Sequence, residues 1–152
     1  MMNIIKRLLH DFVKGYADSR KTALIKQIKG LQEDLGSEDR STAGDKHETG
    51  RAMMQLELEK LGNGLKEAEI LQQEIQKIPF PGQVSTIITR GSLVSCEGGW
   101  YYLSISAGVF KHQDIAYYCV SPQSPIGLQL MGKTTGDRIS VPAGIFTIKG
   151  VY

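Results

Sequence analysis

Two runs of apolar residues at heptad spacing constrain the fold of this chain more than any other feature. The first run repeats at intervals of 4, 3 and 4 residues, and it consists of Leu24, Ile28, Leu31 and Leu35. The second repeats at intervals of 4, 3, 4 and 3 residues, and it consists of Met54, Leu58, Leu61, Leu65 and Ala68. This spacing places one stripe of side chains along one side of an α-helix, so each run predicts a helix with a coiled-coil seam.

The two seams match each other in reverse order. If Leu35 faces Met54, then Leu24 faces Leu65, and the position numbers in each of four facing pairs add to 89. A constant sum is the condition for antiparallel pairing about one turn, so residues 1–78 are predicted to form an antiparallel coiled-coil hairpin. A helix pair inside a larger bundle would share this spacing, but no third helical stretch of similar length follows.

Two further features of this half bear on the stability of the hairpin. An apolar stripe precedes the first seam, and it consists of Ile4, Ile5, Leu8, Leu9, Phe12, Val13 and Tyr16. Because one thin seam stabilises a hairpin poorly, we expect this stripe and the second half of the chain to anchor its base. Gly62 and Gly64 each cost about 1 kcal/mol relative to Ala inside a helix, which predicts a bent or soft stretch.

The chain changes character after residue 78. Residues 1–78 hold 13 Lys or Arg and 13 Asp or Glu, whereas residues 79–152 hold only five and three. Pro79, Pro81 and Gly82 stop the helical pattern, so residues 79–83 are predicted to be a linker. After them the apolar period becomes two, which predicts strands at 83–90, 92–96, 100–106, 115–120, 137–141 and 144–149.

A short helix is predicted between the strands of the second half. Ser124 is a favourable N-cap, Pro125 suits the first helical position, and Gly132 can end the helix after about residue 131. The Glu97-Gly98-Gly99 segment is typical of a hairpin turn. Residues 84–152 are therefore predicted to form a small antiparallel sheet with one short helix, and the whole chain is predicted to be α+β.

The second half shows few arrangements suited to chemistry. Cys96 and Cys119 have no neighbouring His, so we interpret them as buried small hydrophobes in a reducing compartment. His10 and His112 are isolated and are not at metal-ligand spacing. The GKTTG segment at residues 132–136 lacks the spacing of a phosphate-binding loop.

The remaining features of the composition exclude several classes of protein. The net charge of +2 gives no bulk basic character for nucleic-acid binding. The aromatic residues at 100–102 and 117–118 are not interleaved with basic ones, so they are predicted to fill a core. No apolar run approaches the roughly 20 residues needed to cross a membrane, and the first residues do not resemble a secretion signal. The chain is predicted to be cytoplasmic.

Residues 36–50 are rich in Gly, Ser, Thr and charge, which suits a turn or frayed helix ends. Two carboxylates lie in this segment, at a predicted acidic tip near residues 43–50. Asp45 and Glu48 are three residues apart, so they share one face if the segment is helical. Two carboxylates on one face can share a Mg²⁺, although such a pair binds it weakly without ligands from a partner. A solvated charged tip fits the same residues and is the more common situation.

Residues 124–137, SPIGLQLMGKTTGD, followed by Val141 and Pro142, resemble the Ser-Pro-Ile/Met-x-x-x-Leu-x-x-Lys-x-x-Gly-Asp stretch of the bacterial Gre transcript cleavage factors. Gly44-Asp45-x-x-Glu48 is similar to the Gly-Asp-x-x-Glu at the tip of the family's coiled coil. The order of the parts agrees, and it implies a coiled-coil hairpin followed by an FKBP-like domain.

The resemblance implies a factor that binds RNA polymerase and inserts its hairpin into the secondary channel. There it would stimulate the polymerase's own endonuclease to cut backtracked RNA, so it would not itself be an enzyme and would meet the nascent RNA 3′ end only indirectly. Asp45 and Glu48 would assist in trans by sharing a Mg²⁺ with the polymerase, and no cofactor would be held stably. Ser124 and Pro125 would contact the polymerase at the channel rim. Separately from the resemblance, we expect the chain to be a monomer.

Three other functions also fit the sequence. The chain has Lys46-His47 where the family usually has Leu-Ser, and a positive charge there would repel Mg²⁺. A secondary-channel regulator without cleavage activity is therefore one alternative. An unrelated coiled-coil adaptor is a second, and a peptidyl-prolyl isomerase is a third, although a shared fold does not imply a shared activity.

Overall fold

The computed structural model describes residues 2–39, 45–79 and 84–152, without the side chains of residues 38–39 and 45–48. Two long helices come first: α1 spans Met2–Asp39 and α2 spans Asp45–Gln76. Residues 36–50 were expected to be a turn or frayed helix ends, and both helices continue into this segment, α1 as far as Asp39 and α2 from Asp45. Charged helix ends need no apolar stripe, so the heptad pattern alone could not mark where these helices end.

The described chain divides into two compact units, and α1 and α2 each run through both. One unit spans Ala17–Gln72 and the other combines Met1–Tyr16 with Gln73–Tyr152. In the first, the helices are antiparallel: Gln72 Nε2 donates to Asp18 Oδ1 at 2.8 Å, and Gly64 lies against Leu24. The position numbers of these pairs add to 90 and 88, close to the predicted 89.

Burial along the hairpin follows the predicted seams. In residues 22–37, the four residues that are not exposed are those of the first seam. In residues 51–60, the two that are not exposed are Met54 and Leu58, and Ala68 further along is fully buried. The coiled-coil hairpin is confirmed.

The second unit contains a six-stranded sheet in the order β3-β4-β2-β1-β6-β5. The strands are β1 (Leu93–Cys96), β2 (Gly99–Leu103), β3 (Gly108–His112), β4 (Ile115–Val120), β5 (Arg138–Val141) and β6 (Gly144–Val151). One short helix, α3 (Pro125–Leu130), lies between β4 and β5 in the chain. The α+β class is confirmed.

The sheet is mixed, so the prediction of a wholly antiparallel sheet was wrong. The strands β2 and β4 pair in parallel, with Trp100 beside Tyr117. The cause is β3, which was not predicted: it returns antiparallel and pairs with β4, so β4 runs in the direction of β2. As an edge strand β3 is largely exposed, and it therefore has no strong apolar alternation.

The first predicted strand, residues 83–90, was also wrong over its described part, residues 84–90, which contain no strand. Ile88 is buried, and it exchanges backbone hydrogen bonds with the segment after α3: its N–H donates to the Lys133 carbonyl, and Gly132 N–H donates to the Ile88 carbonyl. Of the three apolar residues behind the strand prediction, Val84 and Ile87 are exposed and Ile88 is buried, so the segment lacks the regular burial of a strand. The left-handed φ of +86° at Gly91 then turns the chain into β1.

The helix α3 covers a core on one side of the sheet. This core consists of Ile88, Val94, Cys96, Leu103, Leu130, Ile139 and Ile148. Its members come from four strands, α3 and the irregular segment, so α3 is held by the sheet rather than by its own six residues.

The first part of α1, up to Tyr16, and the last part of α2, from Gln73, belong to the same unit as the sheet. Phe12 of α1 contacts Phe110 of β3 with ring centroids 5.2 Å apart, and Glu74 of α2 pairs with Arg90. A Cβ at Gly91 would lie 2.9 Å from Ile78 Cγ2. The glycine therefore allows Ile78, in the segment after α2, to pack directly against the backbone before β1. Among the described helices, none is both long and apolar enough to cross a membrane.

Candidate functional site

Ser124 and Pro125 form the beginning of α3 as the sequence predicts. The Ser124 hydroxyl accepts a hydrogen bond from Gly127 N–H at 3.1 Å and donates one to the Ser121 carbonyl at 2.6 Å. Pro125 follows in the first turn, where its missing N–H costs nothing. The cap therefore fixes both the start of α3 and the loop before it.

Gly127 lets α3 lie directly on that loop. A Cβ at this position would lie 1.9 Å from the Ser121 carbonyl oxygen and 2.9 Å from Pro122 Cα. Both obstacles are backbone atoms, which cannot rotate away as a side chain would. The position of Pro125 on the surface thus depends on a glycine two residues further along α3.

Beside Pro125 lies an open apolar groove of about 560 Å³. Its lining comes from α3, β2, β5, β6 and the turns that join the strands: Gly98, Tyr101, Pro125, Ile126, Gln129, Ser140, Val141, Pro142, Ala143 and Phe146. The turn at Gly98 lies directly against the Phe146 ring, since a Cβ at Gly98 would be only 2.6 Å from that ring. The groove has an apolar floor and a few uncharged polar groups, which suits a protein segment better than a charged ligand.

An exposed aromatic residue extends the surface beyond the groove. Tyr118 contacts Tyr101 with tilted rings whose centroids are 5.7 Å apart, and it pairs across the strands with Val109. Tyr118 and Val109 are both about two-fifths exposed. In contrast, Tyr102 and Tyr117 are buried, so the predicted core role of the aromatic residues holds for them but not for Tyr118.

Sequence reasoning found Ser124 and Pro125 but missed the rest of the groove. Tyr101 and Phe146 are 45 positions apart and meet only because β1 and β6 pair. A weak signal was present in Val141 and Pro142, which lie within the stretch that resembles the Gre family. The structure brings these two residues to the same groove as Pro125.

The two predicted tip acids lie at the start of α2. Asp45 is its first residue and Glu48 lies one helical turn further along the backbone. Their side chains, and those of Lys46 and His47, lie outside the described part. Two carboxylates at this helical spacing offer hard oxygen ligands of the kind that Mg²⁺ prefers. Among the side chains that are described, no three His, Cys, Asp or Glu residues gather as metal ligands.

The loop at residues 132–136 does not cradle phosphate. Gly132 N–H donates to Ile88, Lys133 N–H to Leu130, Thr134 N–H to the Asp137 carboxylate, and Gly136 N–H to Ile148. A phosphate loop needs free N–H groups that point at the anion, and these four are already used within the protein. The loop instead joins α3 to β5.

The cysteines are buried, as predicted. Burial raises the pKa of Cys96 to about 11 and that of Cys119 to about 12, so both thiols stay protonated at neutral pH. Neither is therefore a nucleophile. On α1, burial lowers the pKa values of Lys6 and His10, and the charge of Asp11 partly opposes this for His10.

Comparison with known proteins gives a distant likeness. The chain matches no protein-family model and no curated protein. It is similar to the crystal structure of GreA factor homolog 1 (Gfh1) of Thermus thermophilus, with 18% sequence identity and a TM-score of 0.34. The alignment covers 87% of this chain and 94% of that one.

Proposed function

We propose that this chain is a Gre-like factor that binds RNA polymerase and acts on backtracked transcription complexes. The observation that carries the proposal is the joint position of Ser124, Pro125, Val141 and Pro142. These residues carry the resemblance to the family, and all but Ser124 line one apolar groove, while Ser124 fixes the helix that forms it. A motif that builds a docking surface explains why such residues occur together.

The hairpin supports the second part of the proposal. Its seam is long and thin, and in residues 22–37 and 51–60 every residue outside the seam is exposed. The 18 residues from Asp45 to Gly62 alone span about 26 Å of helix. An arm of this kind is suited to enter a narrow channel, because it adds length with little width.

In the proposed complex, Asp45 and Glu48 would hold a Mg²⁺ together with ligands from the polymerase. Such an ion, when bound, stabilises the attacking and leaving oxygens of the phosphodiester. The chain's own part is to bring two carboxylates to the reacting RNA and to hold them one helical turn apart. Lys46 and His47 lie between them in the sequence, and the positive charge of Lys46 opposes the metal, so a regulator without cleavage activity is the second candidate function.

A binding measurement with core RNA polymerase tests the docking step. Replacing Ile126→Gln removes apolar surface from the groove, and we expect the Kd to rise about tenfold, which corresponds to about 1.4 kcal/mol. Ile145→Gln is the matched control, because Ile145 is exposed and does not line the groove. The thermal unfolding of both variants should be recorded beside binding.

Two outcomes would overturn the docking proposal. The first is wild-type chain that does not bind core polymerase, which would favour the adaptor hypothesis. The second is an equal loss of affinity in the Ile126 and Ile145 variants, since that would show that the groove has no special role. A peptidyl-prolyl isomerase should in addition accelerate isomerisation of a proline-containing peptide, and we expect no such activity.

A further inference from the structure

A short stretch of poor helix formers lies inside α2. Gly62, Asn63 and Gly64 follow one another, although α2 runs without interruption from Asp45 to Gln76. Relative to three alanines, these residues cost about 2–3 kcal/mol of helix stability. A cost of this size in the middle of an arm calls for a physical reason.

Packing explains only one of the two glycines. A Cβ at Gly64 would lie 3.3 Å from Leu24 Cδ2, so Gly64 allows the two helices to approach closely. A Cβ at Gly62 would meet nothing within 4 Å. An alanine would therefore fit at position 62 without any clash and would strengthen the helix, so the glycine there is not explained by packing.

A groove of about 530 Å³ lies on the surface of the hairpin at the same level, and Leu24, Lys60, Leu61 and Gly64 are among its lining residues. Poor local helix propensity therefore coincides with a surface groove that no other part of the hairpin fills. Farther along, Gln72 and Asp18 hold the two helices together by a hydrogen bond of 2.8 Å.

We propose that α2 bends at Gly62–Gly64 and that this stretch is a joint in the arm. Sharp bends in helices occur where the local hydrogen-bond ladder is weak, for example at small-residue pairs. A bend of about 15° would move the backbone of Asp45, about 27 Å away along the helix, by about 7 Å. If the proposed function holds, this movement adjusts the tip acids within the channel, but the joint itself does not depend on it.

Distance measurements between two spin labels test the joint directly in the full chain. Labels at Met53→Cys and Ile70→Cys, both exposed in the wild type, flank the glycines and lie about 26 Å apart along a straight helix. The two native thiols are buried, and unsubstituted chain serves as the labelling control. The labelled chain is compared with the same chain carrying Gly62→Ala.

Gly36→Ala is the matched control, because a Cβ at Gly36 also meets nothing within 4 Å and Gly36 lies in α1, away from the joint. We expect a broad distance distribution that Gly62→Ala narrows and Gly36→Ala leaves unchanged. Amide exchange of residues 60–66 should slow about fivefold in Gly62→Ala, the equivalent of about 1 kcal/mol. Equal widths in all three chains, or equal exchange at residues 60–66 in wild type and Gly62→Ala, would overturn the proposal. Because no polymerase is present, the result is independent of the proposed function.

Discussion

The substitution Gly127→Ala should push α3 away from the loop that precedes it. The new Cβ would lie 1.9 Å from the Ser121 carbonyl oxygen, more than 1 Å closer than a carbon and an oxygen can approach without repulsion. Because the obstacle is backbone, α3 must shift. That shift strains the two hydrogen bonds of the Ser124 hydroxyl, at 2.6 and 3.1 Å.

The size of the effect follows from these contacts. Overpacking costs about 1–3 kcal/mol, and loss of the cap costs about 1 kcal/mol more. The gain in helix propensity from Gly to Ala offsets about 1 kcal/mol. We therefore expect the free energy of unfolding to fall by about 1–3 kcal/mol.

Urea unfolding followed by tryptophan fluorescence measures this loss. Trp100 is the single tryptophan of the chain and lies in β2, in the same unit as α3. Ser124→Ala isolates the cap and should cost about 1 kcal/mol, while Ser124→Thr should retain most of it. Wild-type stability in Gly127→Ala would refute the reasoning, because it would mean that α3 does not rest on the loop as described.

Three further predictions concern other parts of the same unit. Hydrogen bonds from Lys77 and from Arg90 lower the pKa of Glu74 below 4.5. The ionised Glu74 carboxylate should therefore stabilise the unit above that pH, and this contribution should be lost as the pH falls below it. Glu74→Gln should flatten the acid side of a curve of unfolding free energy against pH. Gln113 has a left-handed φ of +49° in the β3–β4 turn, so Gln113→Gly should raise the free energy of unfolding by about 0.5–1 kcal/mol in urea unfolding, and a loss would contradict the strain argument. Cys96 and Cys119 should react with a thiol reagent at pH 8 only in denaturant. Rapid reaction of the native chain would show that the two thiols, in β1 and β4, are accessible to solvent.

The hairpin could be predicted from sequence because its contacts are periodic. Each seam residue repeats a local rule of 3.5-residue spacing, and antiparallel pairing needs only one additional number, the sum of 89. The ends of the helices were predicted less well. They depend on charged residues such as Asp39 and Asp45, which carry no apolar period.

The sheet shows how one strand that was not predicted changes the expected topology. The strand β3 lies at an edge and is mostly exposed, so neither composition nor alternation marks it. Without it, β2 and β4 look like neighbours joined by a loop, and an antiparallel pair is the natural expectation. With it, the chain reverses once more and β4 becomes parallel to β2.

The candidate groove depends on contacts between residues far apart in the sequence. Ser124 and Pro125 could be found because a helix cap is a local pattern of a few residues. Phe146 and Tyr101 could not, because their approach follows from the pairing of β1 with both β2 and β6. Local chemistry was thus predictable, and the shape of the surface around it was not.

Cleavage of RNA in a backtracked elongation complex tests the central claim most directly. The complex is incubated with Mg²⁺ and wild-type chain, with Asp45→Asn or with Glu48→Gln. Glu57→Gln, at an exposed position on the same helix, is the matched control. We predict that wild type and Glu57→Gln shorten the RNA and that either tip variant slows shortening at least tenfold. Undiminished shortening by Asp45→Asn and Glu48→Gln, or none by wild-type chain that is bound to the polymerase, would contradict the account.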